Sequence, residues 1–527
     1  MLRVITAVIA MLGLLAVFGA AGAGAARNQD STFQDDNLLL FNSDAGTART
    51  LDTLKGLGVD RVRASVFWRN LAPANESVTK PPFDAADPAA YPAASWVPYD
   101  RLVREAQARG IAVYFNPTSP APNWATGTPE RPDIDETFSP DAREFGLFVR
   151  ALGTRYSGSF QGLPRVDYWG VWNEPNQPGW LTPQWEPAPG EGPAGRMVEA
   201  APRIYRALFD AAYEGLVATG HGQDTILVGE TAPKGLNAQG TTRAIKAGRF
   251  IRRLYCLNDV LLPLTGRAAE EQGCPTAGAA RAFPAAHPGL FAASGYAHHP
   301  YELIFPPSRK PADPDFLTIA NTSKLSLLLK RAYERYGRRG PGPGGAIPLH
   351  FTEFGYQTNP PDRFGVTPSQ QQAYLDEAEY VTARNPLVRT LSQFLLLDDA
   401  DVSRGFQSGL LFRDGTPKPE FATYRLPVHL PGGRPDRRGR LRVWGMVRAA
   451  APGQRPRVTL EARRGSRGGW RTVRTLTAVN GRGYFEVTVN VGRNAGAVRA
   501  KAKAAEPLRS RVATFRAARR PAVRPRR

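Results

Sequence analysis

Cysteine is nearly absent: Cys256 and Cys274 are the only two in 527 residues. No histidine pair sits near them, so they make a poor zinc site. An even number in an exported chain predicts instead one disulfide closing the loop between them. Long apolar runs are missing too, apart from the N-terminus, and no later segment is apolar enough to span a bilayer. No Gly-rich phosphate loop follows the first strand-like segment, which takes support from a nucleotide site. Acidic residues thin out at one end. Residues 425–527 hold Asp436, Glu461, Glu486 and Glu506 against 27 Lys and Arg, whereas the whole chain carries +21. The first 424 residues are therefore close to neutral and the end is strongly basic.

What is present begins with Met1 to Ala26: Arg3, an apolar run from Val4 to Phe18, then small residues. Ala21-Gly22-Ala23 and Ala23-Gly24-Ala25 both fit an A-x-A cleavage pattern. This reads as a secretory signal peptide, so the protein is expected outside the cell with no stable membrane anchor. Short apolar strands then alternate with amphipathic helices. Eight strand candidates lie near residues 38, 62, 112, 167, 226, 295, 349 and 393, the first being NLLLF at 37–41. Helices are predicted over 45–58, 141–156 and 199–218, among others. Repeated βα units of this number and length predict an α/β fold, a (β/α)8 (TIM) barrel over 27–425. A doubly wound open sheet is the rival. Past Leu426, LRVWGMV, PRVTLEAR, WRTVRTL, YFEVTVNV and AVRAKAK are short strands separated by Gly-rich turns. They predict a small antiparallel β-sandwich over 426–515. The basic, Pro-containing tail at 516–527 is expected to stay disordered.

The chemistry gathers at strand ends. DYWGVWNEPNQPGW (167–180) places Glu174 just after an apolar, aromatic run, and PLHFTEFGY places Glu353 at the end of the seventh candidate strand. In a barrel both ends face the mouth, where active sites of this fold are built. Two facing carboxylates, one protonated and one ionised, are the equipment for cleaving a glycosidic bond. WNEPN, the later TEFG and the HHPY between them (298–301) resemble the clan-A retaining glycoside hydrolases, (β/α)8 enzymes that include many cellulases, mannanases, xylosidases and galactosidases. The likeness covers roughly residues 36 to 425. It implies Glu174 as acid/base, Glu353 as nucleophile and Asn173 as a contact to the sugar 2-hydroxyl. It further implies that Tyr301, in His299-Pro300-Tyr301, hydrogen-bonds the nucleophile and that Arg63 helps keep Glu353 ionised. No metal or cofactor is implied. One departure stands out: the clan places a Trp at the end of strand eight, where this chain has SQFLLLDD.

Several residues carry two readings. Trp172, Trp124 and Trp180 are sugar-stacking candidates or barrel packing. DRVRAS offers both Arg61 and Arg63, and strand alternation must choose between them. Glu230, ending strand five, rivals Glu353 but ranks below it, because the clan pairs strand four with strand seven. The expected function is a secreted retaining glycoside hydrolase acting on a poly- or oligosaccharide. A transglycosylase using the same residues and a non-catalytic carbohydrate- or wall-binding protein on the same fold are the alternatives. The basic end fits contact with an anionic cell-wall polymer or polysaccharide, or a plain Arg-rich solvated surface. Without a recognisable motif in an exported chain, nucleic acid is not expected.

Overall fold

Eight parallel strands pair in a closed ring: β1 (Asp30–Gln34), β2 (Arg61–Phe67), β3 (Ala112–Thr118), β4 (Tyr168–Trp169), β5 (Thr225–Thr231), β6 (Gly295–His298), β7 (Leu349–Phe351) and β8 (Val388–Phe394). Each pairs with its chain neighbours, and β1 closes on β8 from Asp30↔Thr390 to Gln34↔Phe394. This is the predicted barrel, and closure removes the open-sheet rival. The computed structural model describes residues 29–448, 455–465, 468–478, 480, 482–504 and 506–516. The predicted signal segment 1–26 and the tail 516–527, Arg516 excepted, lie outside the described residues.

Seven strands lie where expected and the first does not. NLLLF is not a strand. Asp36–Leu39 is a short helix whose N-cap, Asp35, accepts a hydrogen bond from the Leu38 amide. The strand is the preceding, polar-looking DSTFQ. Its Ser31, Thr32 and Gln34 are buried: Gln34 points into the barrel and reaches Arg63 and Ser65, while Ser31 points outward to the Tyr424 hydroxyl at 3.3 Å. The apolar leucines belong to the helical turn, which buries Leu39 and Leu40.

The outer helices follow their periodicity. Asp44–Leu57 is capped by Ser43, which accepts from the Gly46 amide, and ends where Gly58 turns left-handed. Ala201–Ala218 buries Leu208, Ala212 and Leu216, the apolar residues spaced for one face. Inside the barrel, Tyr114, Tyr168, Leu227 and Ala297 form one packed group. Tyr168 bonds His350 and lies under the Arg61 guanidinium, 4.0 Å from its ring centre. The interior is thus filled, and open space begins only at the strands' C-terminal ends.

Past Leu426 two antiparallel sheets enclose a second apolar cluster that includes Leu441, Val458, Phe485 and Val498. One sheet contains Arg440–Met446 and Tyr484–Asn490; the other contains Arg457–Arg464, Trp470–Thr477 and Ala495–Lys503. The sandwich rests on the barrel. Arg482 pairs with Asp30 and Asp60, each at 2.7 Å, and buried Arg448 pairs with Glu379. Tyr380 stacks on His429 at 4.9 Å. Cys256 and Cys274 form the predicted disulfide. Among the described residues no helix is long and apolar enough to cross a membrane.

Candidate active site

The segment after β4 is held between its neighbours. The Trp172 amide donates to Pro117 O at 2.8 Å, the Asn173 amide to Thr118 Oγ1 at 2.9 Å, and the Glu174 amide to Glu230 O at 2.9 Å. Trp172 (φ 65°) and Glu174 (φ 36°) both adopt left-handed backbone, as does Glu230 (φ 49°) at the end of β5. Non-glycine residues rarely hold that conformation unless the surroundings impose it. Here it swings the Glu174 carboxylate out of the strand line and over the barrel mouth. Glu353 comes two residues past β7, and the intervening Thr352 amide donates to His298 O at 3.2 Å.

Between these carboxylates lie two buried cations. Arg63 donates to Glu353 Oε1 at 2.8 Å, to Asn173 Oδ1 at 2.7 Å, to Glu230 Oε2 at 3.1 Å and to Gln34. His299 Nδ1 is 2.9 Å from Glu174 Oε1, and its Nε2 is 2.9 Å from Glu230 Oε2. Burial alone would push the His299 pKa down; Glu353, Glu174 and Glu230 overcome it and hold the pKa at about 10. His299 is therefore an imidazolium donating from both nitrogens. The Tyr301 hydroxyl donates to Glu353 Oε2 at 3.2 Å. Burial pushes Glu353 up from the ordinary carboxylate range, while His299 and Arg63 pull it back. Carboxylate oxygens of Glu174 and Glu353 and a ring nitrogen of His299 lie within 4.8 Å of one another.

Glu174, Glu353, Asn173 and Tyr301 line a cavity of about 920 Å³ at the barrel mouth, and Trp180 joins them. The other predicted site residues lie elsewhere. Arg63 and His299 are fully buried behind the wall and reach the cavity through the lining side chains they hold, Glu353, Asn173 and Gln34 for Arg63 and Glu174 for His299. Alternation does not choose between Arg61 and Arg63, which share the inward face of β2; position along the strand does, since Arg61 lies at the start of β2 over Tyr168 and pairs with Asp30 at 2.9 Å. Trp172 is sealed against Phe145, and Trp124 packs on Trp68 and Phe83 with its indole N–H on Pro73 O; neither meets the cavity. Glu230 is wholly buried. Burial would raise its pKa, but Arg63, then His299 and Thr352, hold it below the ordinary value. Tyr114 also donates to it. Gly170 allows this grouping, since a Cβ there would strike the Tyr114 hydroxyl, Asn116 and Glu230. Glu230 anchors the cluster and has no access to substrate.

Gln34, Asp36 and Ser65 also line the cavity and escaped sequence reading. The first two lie at and just past the end of β1, where Gln34 pairs with Arg63, and the polar letters of DSTFQ carry no signal for that strand. At the end of β8, where a Trp was expected, Phe394 lines the cavity, edge-to-face with Phe406 at 5.3 Å.

No protein-family model matches this sequence, and no curated protein matches it. Solved structures with some similarity include a family 1 β-glucosidase from Thermotoga maritima. It is 14% identical, with 76% of this chain and 92% of that chain covered and a TM-score of 0.43. GH5_18 from Streptomyces cattleya in complex with GlcNAc is also 14% identical, covering 76% and 79%, at a TM-score of 0.42. A calcium-binding mutant of Bacteroides uniformis β-glucuronidase 2 is 12% identical at a TM-score of 0.39; it matches 94% of this chain, which spans only 46% of that protein. At these values the likenesses add nothing to the barrel, which rests on its own strand pairing.

Proposed function

We propose that this protein is a retaining glycoside hydrolase in which Glu353 is the nucleophile and Glu174 the acid/base. The observation that carries this reading is the separation of the two carboxylates, whose oxygens approach within 4.8 Å over an open cavity. Oxygens this close accord with the about 5 to 5.5 Å between carboxyl groups that retaining enzymes use. Glu353 attacks the anomeric carbon as the bond to the leaving oxygen breaks, and that oxygen takes the proton of Glu174. A water then gives its proton to Glu174 and its hydroxyl to the anomeric carbon, releasing Glu353. Arg63, His299 and Tyr301 supply the charge and hydrogen bonds that favour an ionised Glu353. Asn173, fixed by Arg63, is placed to meet a sugar hydroxyl.

Sugar release from a panel of aryl glycosides and glycans tests this. Wild type is expected to turn over at least one sugar, Glu353→Ala to lose about 10⁴-fold or more, and Glu174→Gln about 10²- to 10⁴-fold. Release that survives in Glu353→Ala sinks the assignment, and binding without turnover by wild type favours a carbohydrate-binding protein. Product analysis with added sugar acceptors separates hydrolysis from transfer. Export is proposed from residues 1–26, and N-terminal sequencing of the mature protein checks it.

For the basic end we propose contact with an anionic polymer such as a wall polysaccharide. Arg463 and Arg499 flank the Trp470 ring at 4.9 and 4.1 Å, next to Lys501 on the neighbouring strand. Binding to a carboxylated polysaccharide that weakens steeply with salt is expected; none at low salt removes the proposal.

A further inference from the structure

The cavity differs between floor and rim. Its floor is built from strand ends and is polar: Glu174, Glu353, Asn173, Gln34, Asp36 and Ser65. Its rim comes from the loops after β6, β7 and β8, which are consecutive in the barrel and so share one side of the mouth. That side carries four exposed apolar side chains set among the polar Gln357, Asp362, Arg363 and Gln370. Leu303, Ile304, Phe364 and Phe406 are 54%, 48%, 69% and 42% exposed, and all four line the cavity. Large apolar side chains scattered singly need no explanation, but a group of them around one opening marks a binding surface.

The rim is also built to stay in place. Exposed Leu303 holds a left-handed backbone (φ 76°), which for a leucine is strained. Hydrogen bonds on either side fix it: Lys234 Nζ donates to Glu302 O at 3.2 Å, and the Tyr356 hydroxyl to Phe305 O at 2.8 Å. Phe364 sits in a turn where its own amide donates to Asp362 Oδ1 at 2.9 Å and the Gly365 amide donates to Asp362 O at 2.9 Å. The Asn359 amide closes that loop onto Val366 O at 2.7 Å. Strain and hydrogen bonding together hold apolar side chains toward water, next to two carboxylates that act on a polar group.

We infer that the substrate is a glycoside with an apolar aglycone, an alkyl or ring system, seated against Leu303, Ile304, Phe364 and Phe406 while its sugar occupies the polar floor. This rests on the glycosidase reading above and narrows it. A second sugar in that position would lose water at these four side chains and find partners only beside them, at Gln357, Asp362, Arg363 and Gln370.

Calorimetric binding of alkyl 1-thio-β-D-glucosides from ethyl to nonyl, below their micellar concentrations, tests the rim without needing catalysis. The matching O-glycosides report turnover alongside. Affinity is expected to rise about fourfold per methylene until the chain covers the rim. The double variant Ile304→Ser/Phe364→Ser should flatten that slope. Both positions are exposed, and should the variant fail to fold, the wild-type series still decides. Affinity independent of chain length overturns the inference, even where sugar release shows the hydrolase reading to stand. A chain-length slope without turnover of any glycoside leaves the apolar site in place and removes the hydrolase.

Discussion

Arg63 and Glu230 form a 3.1 Å ion pair in which neither side chain reaches solvent, and the same guanidinium reaches on to Glu353 at 2.8 Å. A buried carboxylate with no access to substrate thereby fixes one that has it. Glu230 offsets one of the two positive charges that Arg63 and His299 bring into the barrel, and Glu353 and Glu174 face the remainder from the cavity side.

Glu230→Gln keeps the shape and removes that charge. Breaking one side of a buried ion pair costs about 3 to 5 kcal/mol. Urea unfolding is expected to show a loss of that order, with sugar release falling as Arg63 and His299 lose their positions. A loss under about 1 kcal/mol would mean that Glu230 is dispensable to the cluster.

His299 ties stability to pH on the alkaline side. Its folded pKa of about 10 lies above the ordinary value of 6.5. The stability it contributes is therefore full below about pH 6.5 and is lost as pH rises through 10. The gap in unfolding free energy between wild type and His299→Gln should narrow steadily over that window. Glu230, held low, acts on the other side: its contribution is present above its unfolded value near 4.5 and fades in acid. A gap that stays constant from pH 6.5 to 10 would show that His299 is not charged in the folded protein.

Arg448 and Glu379 join sandwich to barrel with both side chains buried. Arg448→Ala leaves Glu379 buried without its cation, and a loss of about 3 kcal/mol is expected. By contrast, Arg482→Ala removes half-exposed pairs with Asp30 and Asp60, for which about 1 kcal/mol or less is expected. Denaturation of the two variants side by side gives the ranking; the reverse order would place the main contact at Arg482.

The Cys256–Cys274 disulfide closes a loop with a sequence separation of 18. A loop of this length restricts the unfolded chain by about 3 kcal/mol. Urea midpoints with and without reductant, and of Cys256→Ser/Cys274→Ser, should fall together. If only the reductant shifts the midpoint, the effect is not the bond's.

Glu174 and Glu353 are legible in the sequence because each is a charged residue that interrupts an apolar strand at its end, inside a motif several residues long. Gln34 and Asp36 are not, because DSTFQ hides a buried strand behind polar letters. Gln34 faces a barrel interior that supplies its hydrogen bonds while Ser31 on the other face bonds Tyr424, so polar letters fall on both faces and alternation gives no sign of the strand. Trp172 and Trp124 fail for a related reason: an aromatic residue suits a sugar or a core equally well, and its letter carries no direction.

The sequence by itself determined the alternation of strands and helices, the change to antiparallel strands past residue 426, and the carboxylates at two strand ends. These follow from periodicity and short-range backbone preference. Only the tertiary structure decided that Glu353 and not Glu230 opens to the cavity, that Arg63 and not Arg61 serves it, and that Leu303, Ile304, Phe364 and Phe406 share one rim. Burial and adjacency arise when the ring closes, because residues 63, 174, 230, 299 and 353 meet only once eight separate strands have paired.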